Sequence, residues 1–273
     1  MPELPEVETV VRDLRPELVG RTFTALNVGP QTLRKPWQKT DTPKIIGSTI
    51  QHVLRRGKWI GITLSIPEVL LVHLGMTGQF TIANANATVP NHTHFVFTLS
   101  DARELRFRDV RRFGSISLLN NEAALHAFLN VQLGPEPADL ILKDFQDAIR
   151  ASGRTVKAIL LDQTVVAGIG NIYADEALFR AGLHPERRGT KVKLAECEQL
   201  MRAIQEVIAE AIERRGSTIR DYIGGSGLRG GFQHALMVYG RTSEACVRCG
   251  TPIRMVRVGG RSSHFCPQCQ KPG

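Results

Sequence analysis

The chain has 273 residues, 42% of them hydrophobic and 22% charged, a composition ordinary for a globular protein of two domains with room for a small third module. Its formal net charge of +9 gives a surface that attracts polyanions, with nucleic acid or an anionic membrane as the usual candidates. The acidic start, together with the lack of any run near the roughly 18 apolar residues that span a bilayer, sets the membrane aside, so a cytoplasmic protein, taken as monomeric, is expected.

The N-terminus reads Met1-Pro2-Glu3-Leu4-Pro5-Glu6. Removal of Met1 ahead of the small Pro2 exposes a secondary amine, and an α-amino group titrates near about 8, so part of it is a free nucleophile at neutral pH. Attack on an electrophilic carbon gives an iminium adduct, and Glu3 stands beside it to shuttle protons. The same residues also read as a stiff start to a helix with an acidic first turn. Val7, Val10, Val11, Leu14 and Leu18 then recur at helical spacing, predicting one amphipathic helix that ends near Gly20.

Strand signals follow. Ile60, Ile62, Leu64 and Ile66 alternate with Gly61, Thr63 and Ser65, and Phe95, Phe97 and Leu99 with Val96 and Thr98. With similar stretches near 22–29, 44–54, 69–82, 103–108 and 114–119, the first half is expected to be a two-layer β-sandwich carrying the N-terminal helix. Lys58 follows Arg55-Arg56-Gly57 at the start of the alternating strand, where a rigid element would hold its amine as a proton donor or phosphate ligand. His73-Leu74-Gly75-Met76-Thr77-Gly78 and Asp109-Val110-Arg111-Arg112-Phe113-Gly114 both read as strand ends with an apolar tip on a glycine-flanked turn. Met76 and Phe113 have the character of wedges that unstack a base step, and Arg111 of a guanidinium that fills the space of an extruded base. Burial of the apolar pair in a core, with Arg111 and Arg112 solvated, is the competing reading.

From about 121 to 215 the periodicity is helical, broken at Leu133-Gly134-Pro135-Glu136-Pro137, the expected linker. Val166-Ala167-Gly168-Ile169-Gly170-Asn171-Ile172-Tyr173 reads as a glycine turn opening a helix whose first amides face an anion. A dinucleotide fingerprint fits less well, because Tyr173 replaces the third glycine and no strand precedes the turn. Cys197 falls on the stripe Leu194, Cys197, Leu200, Met201, Ile204, Val207, Ile208 and reads as a core thiol. Cys246-x2-Cys249 and Cys266-x2-Cys269, 16 residues apart, have the spacing of two knuckles that close one tetrahedral zinc site, with two disulfides as the alternative. Residues 245–273 hold five basic side chains and no acidic one, and Arg261, between Gly259-Gly260 and Ser262-Ser263, is placed at the tip of that ribbon.

Taken together these segments resemble the bacterial formamidopyrimidine-DNA glycosylases, which remove oxidised purines such as 8-oxoguanine and formamidopyrimidines. The resemblance covers nearly the whole chain: Met-Pro-Glu-Leu-Pro-Glu-Val-Glu at the start, Arg-Arg-Gly-Lys at 55–58, His-Leu-Gly-Met-Thr-Gly at 73–78, Arg-Arg-Phe-Gly at 111–114, Gly-Ile-Gly-Asn-Ile-Tyr at 168–173, Val-Tyr-Gly-Arg at 238–241 and the four cysteines. It implies an α+β multidomain protein: a β-sandwich catalytic domain with its N-terminal helix (1–132), a helix-two-turn-helix DNA-binding domain (133–222), and the remainder of a base-capping loop followed by a zinc finger (223–273). It also implies roles. Pro2 is the Schiff-base nucleophile, Glu3 a proton donor, Lys58 a donor in β-elimination and Arg261 in δ-elimination. Met76, Arg111 and Phe113 fill the gap left by a flipped nucleotide, while His73, His92, Lys157, Asn171 and Arg261 hold phosphates of damaged duplex DNA. Arg154 is a further expected DNA contact, although the basic cluster usual before Lys157 is reduced here to Gly153-Arg154-Thr155. One structural zinc and no organic cofactor are expected. Two alternatives remain: an endonuclease VIII-like enzyme for oxidised pyrimidines, and a zinc-ribbon DNA-binding protein without catalysis.

Overall fold

The computed structural model describes residues 1–218, 225 and 228–272. They form two compact units, Met1–Val131 with Arg214–Gln233, and Gln132–Glu213 with His234–Gly273. The units therefore interleave along the chain where the expected segmentation ran consecutively: the segment after the last long helix returns to the first unit, and the cysteine ribbon joins the helices. Residues 219–224, 226 and 227 of the expected base-capping loop lie outside the described residues.

In the first unit, α1 (Leu4–Leu18) is followed by β1 (Phe23–Val28), the short α2 (Thr42–Ile45), β2 (Ile50–Arg56), β3 (Trp59–Leu64), β4 (Val69–His73), β5 (Gly78–Asn84), β6 (Thr93–Leu99), β7 (Arg103–Asp109), β8 (Ser115–Leu119) and α3 (Glu122–Gln132). The strands make two antiparallel sheets, β1-β6-β7-β5 and β2-β3-β4-β8. Phe23, Phe80, Phe97 and Phe107 from one sheet share a single core with Ile60, Ile62, Leu70, Val72 and Ile116 from the other, and the α1 stripe Val7, Val10, Val11, Leu14, Leu18 packs into it. The predicted sandwich and its helix are thus present.

Two details differ from the expectation. The 44–54 stretch begins as a helical turn, because Pro43 favours the first turn of α2 and Gly47, at φ +84°, turns the chain before β2. The 69–82 stretch is two strands in different sheets, divided at a corner where Gly75 has φ +63° and the Gly78 N–H donates to the Leu74 carbonyl at 2.9 Å. A second corner, between β7 and β8, makes the same crossing.

The second unit contains α4 (Leu142–Arg150), α5 (Val156–Leu160), α6 (Asn171–Arg180), α7 (Leu194–Glu213), and the hairpin β9 (Arg254–Val258) and β10 (Arg261–Phe265). Cys197 is buried on α7 as expected, and burial pushes its thiol up, whereas Leu194 at the start of the same stripe is exposed. The turn before α6 is braced by Gln163, which accepts from the Gly168 N–H at 3.0 Å and donates to the Ile169 carbonyl at 2.8 Å.

Candidate active site

Pro2 is buried, as are Glu3 and Glu6, while Met1 is exposed. Glu3 is the N-cap of α1 and forms a reciprocal capping box with Glu6, so the helical role read from the sequence coexists with its position beside Pro2. The Glu6 carboxylate does two things at once: it accepts from the Glu3 N–H at 2.8 Å and from the Ser217 N–H at 2.7 Å.

Lys58 is almost wholly buried and lies with Gly57 in the two-residue turn between β2 and β3, where Gly57 supplies the positive φ such a hairpin needs. The turn is tied to α1, because Arg55 donates to the Glu8 carboxylate at 2.7 Å and to the Gly57 carbonyl at 3.3 Å. Arg15 adds a bond to the Val53 carbonyl at 3.0 Å. The helix that follows Pro2 and Glu3 is thereby registered on the strand that leads into the Lys58 turn. Desolvation of Glu8 is outweighed by its bonds to Arg55 and Arg12, which leave its pKa below the usual carboxylate value.

The two sheet-crossing corners carry the three residues expected to act as a wedge. Phe113 and Arg111 are exposed, with the Arg111 guanidinium 4.8 Å from the centre of the Phe113 ring, and Met76 is half-buried on the other corner. The corners meet backbone to backbone: a Cβ on Gly75 would lie 2.4 Å from the Gly114 nitrogen. His73, at the end of β4, accepts the Gly75 N–H on Nδ1 at 3.0 Å. Burial first, then the charges of Lys58 and Arg34, pulls its pKa down to about 4. It is therefore neutral near pH 7 and offers Nε2–H as a donor. His92 is exposed in the loop before β6 with φ +68°.

In the second unit the expected phosphate ligands converge on the Arg261 hairpin. Val258 pairs with Arg261 across Gly259 and Gly260, both at positive φ, a two-residue turn that leaves Arg261 exposed. Lys157 is fully buried, its amine donating to Asp175 at 2.6 Å and to the Ser262 carbonyl at 2.8 Å; Asn171 donates to the same carbonyl at 2.9 Å. The Lys157 amine thus faces the hairpin instead of solvent. Arg154 is exposed and paired with Asp162 at 2.9 Å.

The four cysteine sulfurs Cys246, Cys249, Cys266 and Cys269 lie within 4.8 Å of one another, with separations of 3.5–3.9 Å for three of the pairs. Zn–S bonds of about 2.3 Å in a tetrahedron place sulfurs about 3.8 Å apart, whereas a disulfide needs about 2.05 Å. The donor set fits zinc and not disulfides.

Glu6, Asp109 and Glu176 were not singled out by the sequence. Glu176 is buried on α6 and accepts the consecutive N–H groups of Met237, Val238 and Tyr239, each at 2.9 Å; burial raises its pKa although these three bonds oppose the rise. Only Glu6 carried a signal, the Glu3-x2-Glu6 spacing of a capping box.

Three family models match this chain: the formamidopyrimidine-DNA glycosylase N-terminal domain over residues 1–116, the formamidopyrimidine-DNA glycosylase H2TH domain over 133–222, and a zinc finger found in FPG and IleRS over 243–272. A formamidopyrimidine-DNA glycosylase of Geobacillus kaustophilus is 44% identical over 275 residues, covering 99% of this chain and 100% of that one. The chain belongs to the formamidopyrimidine-DNA glycosylase family. Among solved structures, a mutant Lactococcus lactis FPG bound to Fapy-dG-containing DNA is 37% identical with TM-score 0.93, covering 99% of this chain and 100% of that one. MutM in complex with DNA containing carbocyclic 8-oxo-G is likewise 37% identical over 99% of this chain and 100% of its own, with TM-score 0.92. The expected enzyme class, a DNA glycosylase, is borne out, as are the sandwich, the helix-two-turn-helix and the four-cysteine zinc module. Among the described residues, no helix is long and apolar enough to cross a membrane.

Proposed function

We propose that this glycosylase excises 8-oxoguanine and formamidopyrimidines from duplex DNA and then cuts the strand by β- and δ-elimination, with Pro2 as the nucleophile. Once Met1 is removed, the Pro2 nitrogen is a free secondary amine. Its lone pair forms a bond to C1′ of the lesion sugar while the bond from C1′ to the base breaks and the base leaves with a proton. Glu3 delivers a proton to O4′ as the sugar ring opens, and the adduct is an iminium. The iminium acidifies C2′; loss of that proton expels the 3′-phosphate with Lys58 as acid, and loss of the C4′ proton then expels the 5′-phosphate with Arg261 as acid. Met76, Arg111 and Phe113 enter the stack where the lesion leaves it. His73, His92, Lys157 and Asn171 serve the DNA backbone, directly or by fixing the groups that touch it. The zinc ribbon needs only its four thiolates, and the metal's part there is to hold the Arg261 hairpin. The protein acts as a cytoplasmic monomer on its DNA.

The observation that carries this reading is the buried Pro2-Glu3 start, fixed by the two hydrogen bonds of Glu6. Cleavage of duplexes with 8-oxoguanine opposite cytosine, set against duplexes with thymine glycol, tests it. Preference for 8-oxoguanine, with phosphates left on both sides of the gap, is expected; preference for thymine glycol would assign the protein to oxidised pyrimidines instead.

A further inference from the structure

We propose that Asp109 is the positioning residue of the wedge: it fixes the two sheet-crossing corners that carry Met76, Arg111 and Phe113, and so controls entry into the base stack, not the chemistry at the sugar. The inference rests on the base-excision reading above and adds to it a residue that never touches DNA.

Asp109 ends β7 and is completely buried. Its Oδ1 accepts the Thr77 hydroxyl from one corner and the Arg111 N–H, at 3.3 Å, from the other. Its Oδ2 accepts the Gly114 N–H at 2.7 Å. The Thr77 oxygen in turn accepts the Arg111 N–H at 3.0 Å, closing a ring between the corners. The backbone of the same residue reaches the His92 loop: its N–H donates to the His92 carbonyl at 3.0 Å, and its carbonyl meets His94 Nε2 at 2.9 Å. One side chain therefore serves Thr77, next to Met76, and both ends of the Arg111–Phe113 loop.

The chemistry of these contacts calls for a carboxylate. Three donors converge on two oxygens, and an ionised carboxylate is acceptor-only; asparagine of the same shape turns an N–H toward one of the donors. The segments it binds also hold unfavourable backbone. Arg112 has φ +56° and His92 φ +68°, left-handed conformations that persist in non-glycine residues only where the surroundings over-determine them. Releasing Asp109 removes part of that restraint on the residues flanking the wedge, while α1 and the Lys58 turn keep their own ties through Glu6, Arg15 and Arg55.

The test is D109N compared with wild type in three reactions: excision of 8-oxoguanine opposite cytosine, the fluorescence change of 2-aminopurine placed beside the lesion, and cleavage of a single-stranded oligonucleotide carrying an abasic site, which has no stack to enter. Leaving a buried amide unpaired should slow the fluorescence change and duplex excision by about tenfold or more, while single-stranded cleavage changes by less than about twofold. A duplex with the lesion opposite an abasic site should recover part of the lost rate, because an unpaired lesion leaves the stack at lower cost. Equal loss in all reactions, or no loss, overturns the proposal. If D109N does not fold, T77V removes at nearly constant shape the hydroxyl that donates to Asp109 and accepts the Arg111 N–H, and must show the same split; unfolding of both variants makes Asp109 a residue of general stability and also overturns it. A wild-type protein inactive on 8-oxoguanine would refute the base-excision reading itself and this inference with it, an outcome distinct from an active wild type whose D109N variant shows no split.

Discussion

Glu6 and Ser217, 211 positions apart in sequence, are joined by a 2.7 Å hydrogen bond from the Ser217 N–H to Glu6 Oε1, while Oε2 of the same carboxylate accepts the Glu3 N–H. The residue that orders the Pro2-Glu3 start thus also anchors the segment that follows α7. Glu6→Gln keeps the shape but turns a donor toward one of the two amides, leaving a buried N–H unpaired at a cost of about 1–3 kcal/mol. The expected result is a lower Tm together with slower single-turnover excision. An unchanged Tm with unchanged excision would remove Glu6 from this role.

His73 makes stability pH-dependent in a definite direction. Its folded pKa is depressed to about 4 from 6.5, so between these values the unfolded chain takes up a proton that the folded chain refuses. The contribution is complete above pH 6.5 and is lost as pH falls toward 4, the loss reaching about 2 kcal/mol at pH 5. Asparagine can still accept the Gly75 N–H, so His73→Asn should flatten the difference between urea unfolding curves at pH 7 and pH 5. The same loss of stability between pH 7 and pH 5 in wild type and variant would contradict the assignment.

Phe113 separates function from folding. The residue is 45% exposed, so Phe113→Ala should change stability by no more than about 0.5 kcal/mol. Excision from an 8-oxoguanine duplex should nevertheless fall by about tenfold, because the wedge that offsets unstacking is gone. A loss of stability without a loss of activity would place the ring in packing instead.

Removal of zinc should act on the ribbon. Chelation or Cys246→Ser frees the hairpin that carries Arg261, and the expected outcome is release of one zinc per chain, weaker DNA binding and a fall of δ-elimination relative to β-elimination. Metal-free protein with an unchanged ratio of the two products would show that the hairpin is held by Lys157, Asn171 and Asp175 alone.

Much of this architecture was legible in the sequence, and the boundary has physical causes. The α1 stripe, the period-two alternation of Ile60, Ile62 and Leu64, and the paired cysteines are local signals that survive folding unchanged. The turn at 73–78 was legible from its glycines, but that it carries the chain from one sheet to the other was not, because only the backbone reveals the crossing. Asp109 and Glu176 were missed for a related reason: Glu176 is satisfied by backbone N–H groups 61 to 63 positions away, and Asp109 ties its own loop to a hydroxyl 32 positions away, so neither contact leaves a spacing to read. Lys157 shows the converse, a lysine whose position was legible but whose amine turns inward to Asp175 and the Ser262 carbonyl. The interleaving of the two units was equally invisible, since it depends on where residues after Glu213 pack and not on their composition.

The central claim is covalent catalysis by Pro2, and borohydride reduction on 8-oxoguanine duplex DNA tests it most directly. Wild-type protein lacking Met1 should yield a stable protein–DNA complex, with mass equal to the chain plus the sugar-bearing strand, and Pro2→Gly should yield little of it and slow incision in parallel. Full excision and strand cleavage by wild type without any trapped complex, or trapping and incision undiminished in Pro2→Gly, would contradict the account.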